Sequence, residues 1–173
     1  AQGGGNFISR EQMLKVDWNL SDNQRANIRY QRTTQAEPQY STFSATALSL
    51  DSAYYSQGKQ IETTVAQLFS DWTPTFSTEL KASSRNYDSV PTNNTTLPSI
   101  GVQFPGALPA GTPSNVATGS RTINLGTDNS RHMNMLHTRT QDYYAGANWT
   151  LGDHEIKFGA DYQKNKIYNA FLQ

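Results

Sequence analysis

The chain has 173 residues, with 14 Lys and Arg balanced by 14 Asp and Glu, and no cysteine. Zero net charge gives no overall electrostatic case for nucleic acid or an anionic surface, and the missing cysteines exclude disulfides, zinc ribbons and thiol chemistry. Hydrophobic residues are 35% and mean hydropathy is −0.69; no apolar run approaches the ~20 residues of a membrane helix, which excludes helical spans and leaves strand spans open.

The chain opens Ala1-Gln2-Gly3-Gly4-Gly5, without Met or a basic-then-apolar leader, and ends at Gln173 inside an unpunctuated segment. Both ends read as cut from a longer protein. Between them, alternation is the main signal. The first strand sets Leu14, Val16, Trp18 and Leu20 against Lys15, Asp17 and Asn19, and Ser21-Asp22-Asn23 turns it. The second sets Ala26, Ile28 and Tyr30 against Arg25, Asn27, Arg29 and Gln31. The third is ambiguous: Ile61, Thr63 and Val65 favour one phase, Ala66, Leu68 and Trp72 the other, and a β-bulge near 65–67 would reconcile them. Pro74 lies in the next turn, where a missing amide proton does no harm. The fourth strand sets Phe76, Thr78, Leu80 and Ala82 against Glu79, Lys81, Ser83 and Arg85. The fifth has Tyr143, Ala145, Ala147, Trp149 and Leu151 on one face. After Gly152-Asp153, the sixth has Ile156, Phe158, Ala160 and Tyr162 against Lys157, Gly159, Asp161 and Gln163.

This predicts an all-β, antiparallel meander of about six strands in one unit spanning 1–173, with hairpins at about 10–34, 59–87 and 136–165. Segments of about 9–11 residues tilted near 40° span about 25 Å, the height of an outer-membrane apolar band. Turns of about three to five residues follow strands one, three and five, whereas long loops occupy about 33–58 and 87–135. Short turns on one side and long loops on the other are what a transmembrane β-barrel needs. Trp18, Trp72 and Trp149 each precede a short turn. An indole is apolar but its N–H wants a polar partner, so the three are expected to form one girdle at the membrane interface on the periplasmic side. Tyr30, Tyr87, Tyr143 and Tyr162 are candidates for the opposite rim. The same alternation suits a soluble sandwich with the apolar faces as its core; Trp placement and loop asymmetry favour the barrel.

The stretch Lys15-Val16-Asp17-Trp18-Asn19-Leu20-Ser21-Asp22-Asn23-Gln24-Arg25-Ala26, running on to Arg29-Tyr30, resembles the barrel of TonB-dependent outer-membrane receptors. The Oar-like branch, whose plug follows a carboxypeptidase-regulatory-like domain, is the nearest in wording. Ser70-Asp71-Trp72-Thr73-Pro74 with Glu79-Leu80-Lys81, and His154-Glu155-Ile156-Lys157-Phe158-Gly159-Ala160-Asp161-Tyr162, are similar to later hairpins of such barrels. The resemblance implies a 22-stranded barrel in the bacterial outer membrane, holding a plug and driven by an inner-membrane energy-coupling complex. It implies uptake of a siderophore, glycan or peptide, and no enzymatic activity. Neither plug nor TonB box occurs in these residues, so contact with the TonB complex would run through a plug that this chain lacks. Outer-membrane lipid is the other expected partner, and no cofactor is expected.

Candidate lumen-facing residues are Arg25, Arg29, Glu79, Lys81, Arg85, Lys157 and Asp161, which would pair with a plug, line a substrate path or pair with one another. Loop aromatics Tyr40, Phe43, Tyr54, Tyr55 and Phe104 are candidate ligand contacts, able to stack on a sugar, peptide or siderophore or to pack their own loop. His132 and His137 are five apart and would point to opposite faces of a strand, so no metal site is expected there. Ser56-Gln57-Gly58-Lys59 and Ser21-Asp22-Asn23 echo penicillin-recognising serine enzymes, but the order is reversed and no Lys-Thr-Gly exists. Two rival readings are a plug-less porin or adhesin-like barrel and a soluble carbohydrate-binding β-sandwich.

Overall fold

The computed structural model describes residues 5–40, 44–104, 108, 110–114, 119–130 and 133–172. Six long strands form one antiparallel sheet: β1 (Ile8–Ser21), β2 (Gln24–Gln39), β4 (Tyr55–Thr73), β5 (Phe76–Asn93), β8 (Met133–Leu151) and β9 (His154–Leu172), in the spatial order β1-β2-β4-β5-β8-β9. Every neighbour in this sheet is the next long strand in sequence, as in a meander. The short strands β3 (Ala47–Ser49), β6 (Ile100–Phe104) and β7 (Arg121–Leu125) form a second sheet in the order β3-β7-β6.

The long strands run 14 to 19 residues, well beyond the 9–11 read from alternation. β2 continues to Gln39, β4 begins at Tyr55, β5 continues to Asn93 and β8 begins at Met133, so strand takes up much of what the sequence presents as loop. The reason is visible in the side chains. Past Tyr30 both faces of β2 turn polar, and past Gln141 the apolar residues of β8 and β9, such as Met135, Leu136 and Ile167, fall on both faces, so backbone pairing goes on after the hydrophobic alternation has stopped.

All three hairpin turns have two residues. Leu151 pairs with His154 across Gly152-Asp153, and Gly152 has φ 57°, the positive value that a type II′ turn wants at its first central position. The other two hairpins have no glycine. There the register shifts beside the turn, between Asn19 and Ser21 and between Asp71 and Thr73, and the bulges supply the twist that the turn residues do not. No bulge exists near 65–67: β4 stays in continuous register with β2 from Gln39↔Tyr55 to Gln24↔Ser70. Ala66 and Leu68 keep the apolar phase, while Ile61 and Val65 lie on the polar face, where Val65 is buried. Trp72 keeps the phase of Ala66 and Leu68, its indole N–H donating to the Thr78 hydroxyl at 2.9 Å, and the bulge at Asp71/Thr73 shifts the pairing only beside the turn.

The register gives the tilt. Phe76, at the start of β5, pairs with Trp149, two residues short of the end of β8. Gln24, at the start of β2, pairs with Ser70, and one of the three residues β4 has beyond it is the bulge. The turns therefore slip by about two residues per hairpin, one per strand. One residue of 3.4 Å per strand spacing of 4.8 Å corresponds to a tilt of roughly 35°, inside the range for closed barrels.

Candidate functional site

Cross-strand pairing sorts the side chains into two faces. One line runs Val16–Ile28–Ala66–Ala82–Tyr143–Tyr162, and the next toward the turns runs Trp18–Ala26–Leu68–Leu80–Ala145–Ala160. These lines carry no charge, and their large members are open to the surroundings: Trp18 is 66% and Tyr162 61% exposed. No described element covers this face, so a soluble sandwich lacks its second layer. An uncovered apolar face of this extent is aggregation-prone in water and stable against acyl chains.

The three tryptophans come to one height on that face. Trp149 lies four residues nearer the turns than the line holding Trp18, and four strand steps separate them. A slip of one residue per strand cancels the difference. Trp72, one residue before the end of β4, falls within about a residue of the same level. At the other rim, Tyr30, Tyr143 and Tyr162 stand on the apolar face roughly 14–20 Å above the Trp level, and the rings of Tyr143 and Tyr162 stack at 6.5 Å. Tyr87 is a correction: its pairing with Ile61 and Thr138 puts it on the polar face.

Arg25, Arg29, Glu79, Lys81, Arg85, Lys157 and Asp161 all share the opposite, polar face. One groove of about 650 Å³ brings Arg25, Glu79, Lys157 and Asp161 together, and a second of about 490 Å³ joins Glu79, Lys81 and Asp161. Arg29 and Arg85 lie outside both. The guanidinium of Arg25 sits 5.9 Å above the Phe69 ring, which explains an aromatic on a polar wall. Lys157 pairs with Glu155 at 3.1 Å and Lys15 with Asp17 at 2.8 Å, each two residues apart on one strand.

Sequence patterning missed a group on this wall that links three strands. Asp142 accepts hydrogen bonds from Ser83 Oγ at 2.8 Å and Gln163 Nε2 at 2.7 Å, tying β5, β8 and β9 together. Tyr144 was also overlooked. Its ring lies over Gly146, whose strand partner is Gly159: a Cβ added at Gly146 would stand 2.2 Å from the Tyr144 hydroxyl. The two glycines leave a bare patch of backbone, and the ring covers it, an aromatic rescue of paired glycines. Gly146→Ala should push the ring off and destabilise the sheet by about 1–3 kcal/mol. Urea titration of the membrane-refolded protein checks this, and an unchanged midpoint would show the ring contact to be worth nothing.

At the loop end the two long connections fold together. β3, from the first, pairs in parallel with β7, from the second, and β7 pairs with β6. Gly126 ties the assembly: its N–H donates to Ser52 Oγ at 3.1 Å, its φ is 84°, and Pro98 lies hard against it. Lys59 Nζ donates to Glu37 at 2.7 Å at this end of the strands, beyond the apolar band, and that hydrogen bond, helped by the lysine's charge, holds the Glu37 carboxyl below its usual pKa.

The loop aromatics divide. Tyr40 and Tyr54 meet edge to face at 5.2 Å, with the Tyr40 hydroxyl accepting from Gly5 N at 3.0 Å, so both pack their own loop. Tyr55 opens β4 and is half-buried. Phe104 ends β6 and is 51% exposed, on one face with Ile100, Val102 and Leu48. Phe43 and His132 lie outside the described residues. His137 Nδ1 lies 2.6 Å from Asp88 Oδ1.

A family model for an outer membrane beta barrel domain matches residues 2–173. No curated protein and no solved structure matches the chain.

Proposed function

The chain belongs to the outer membrane beta barrel domain family and lies in the bacterial outer membrane; from that premise we propose that it is wall, not catalyst, in a TonB-dependent receptor that takes up a siderophore, glycan or peptide. The short turns face the periplasm and the long connections the outside, as in bacterial barrels generally. The observation that carries the uptake reading is the polar face. It presents Arg25, Glu79, Lys81, Lys157 and Asp161 in two adjoining grooves, chemistry suited to pairing with a plug or passing a polar solute. Support for a captured ligand comes from the loop end, where Ile100, Val102, Phe104 and Leu48 present an exposed apolar face beyond the membrane. The plug, the energy-coupling contact and the Oar-like kinship rest on the resemblance of the hairpins.

The experiment uses the full-length protein in planar bilayers and in cells. A plugged receptor is expected to conduct almost nothing at rest and to lose uptake when the proton gradient is collapsed. Steady ohmic conductance, or uptake that survives an uncoupler, would instead identify a plug-less porin.

A further inference from the structure

We propose that the lipid-facing side of β8 and β9 holds one phosphorylated lipid of the outer leaflet, its headgroup on Arg139, Lys164 and Lys166. Three observations converge. First, the strand register puts these three side chains on the same face as Tyr143 and Tyr162, directly beyond them toward the loops, roughly 25–30 Å above the Trp level. That height is the far interface of the bilayer, where lipid phosphates lie.

Second, none of the three cations forms an ion pair with a described residue, although Glu62 and Asp88 line one groove with Arg139 and Lys166. Among the described strand residues on this face beyond the tyrosines, the carboxylates are Glu62 and Asp88. Glu62 is held by Arg32 at 3.5 Å and by the Tyr30 hydroxyl at 3.3 Å, and Asp88 by His137 at 2.6 Å. Arg139, Lys164 and Lys166 are exposed, and Arg139 stands directly opposite Lys166 in the ladder. Like charges facing each other across a strand pair repel, and a phosphate between them removes the repulsion and accepts hydrogen bonds from both.

Third, the apolar face below is hollowed. Ala66, Ala82, Ala145 and Ala160 floor a groove of about 720 Å³ walled by residues such as Leu80 and Tyr143. An acyl chain descending past the tyrosines reaches that floor within about 15 Å of the charges. Cations above an aromatic rim above an apolar hollow match the polarity profile of a single anionic lipid. The assignment depends on the membrane face alone and is independent of the uptake reading.

The test uses the full-length protein purified in detergent and native mass spectrometry with bisphosphorylated lipid A and its dephosphorylated analogue. The triple variant Arg139→Gln, Lys164→Gln, Lys166→Gln is expected to retain lipid A about a hundredfold more weakly, roughly fivefold per charge. The charge-preserving variant Arg139→Lys, Lys164→Arg, Lys166→Arg should retain it nearly as well as the parent, and the dephosphorylated lipid should bind the parent as poorly as lipid A binds the neutral variant. If the triple variant fails to fold, the single variants Arg139→Gln and Lys166→Gln should each show the fivefold loss. Equal retention by the neutral variant, or of the dephosphorylated lipid, overturns the proposal. So does a lowered melting temperature of the neutral variant with lipid retention unchanged, which would assign the cations to carboxylates on a strand beside β9.

Discussion

Leu80→Arg is expected to cost about 2–4 kcal/mol of folding stability in a bilayer. Leu80 sits on β5 between Leu68 and Ala145, in the middle of the uncharged lines and roughly midway between the Trp level and the tyrosine rim. A guanidinium there must be buried in acyl chain or drag water and headgroups inward. Glu79→Gln, one residue away on the polar face, should change stability by less than about 1 kcal/mol, because its carboxylate faces a polar groove. Urea-dependent folding into lipid vesicles measures both. A soluble sheet with the polar face outward would also suffer from Leu80→Arg, but it would fold without lipid; the barrel should not.

The second large effect is at the loop end. Gly126→Val places a β-branched residue at φ 84° and drives its Cβ into the Pro98 carbonyl, since even an ideal Cβ would lie 1.9 Å from that oxygen. The left-handed conformation alone costs about 1–2 kcal/mol for an L-residue, and backbone cannot give way as a flexible side chain does. The β3-β7-β6 sheet should open while the six long strands stay paired, because the long sheet makes its own ladder. In whole cells, protease nicking between residues 94 and 132 is expected to rise more than tenfold, with the heat-modifiable gel shift of the barrel unchanged. Unaltered nicking would mean that the two connections are not held together through Gly126.

Much of the membrane-facing surface is legible in the sequence because period-two alternation is local. Val16, Trp18, Ile28, Leu80, Trp149 and Phe158 announce their face without reference to any partner. Five things were hidden, each for a physical reason. The strands extend past the apolar band, and there Arg32, Glu62, Arg139 and Lys166 occupy the lipid-side phase, so hydropathy reads them as loop. The phase of β4 misled because Ile61 and Val65, although apolar, lie on the polar wall, where Val65 is buried. The pairing of β3 with β7 joins residues some 75 positions apart, and no local pattern encodes which loop segment meets which. The polar-wall candidates were placeable by alternation, but their grouping into two grooves depends on neighbours across several strands. Asp142 escaped notice because its partners Ser83 and Gln163 come from two other strands.

The absence of cysteine makes the most direct test clean. Single cysteines at positions 78 through 83 of β5, spin-labelled one at a time in the bilayer-embedded protein, report exposure to oxygen from the lipid side and to a water-soluble nickel chelate from the other. Oxygen accessibility should peak at 78, 80 and 82 and nickel accessibility at 79, 81 and 83, a period of two with the apolar phase in lipid. The reverse phase, or no alternation across these six positions, would contradict the membrane-spanning strand itself.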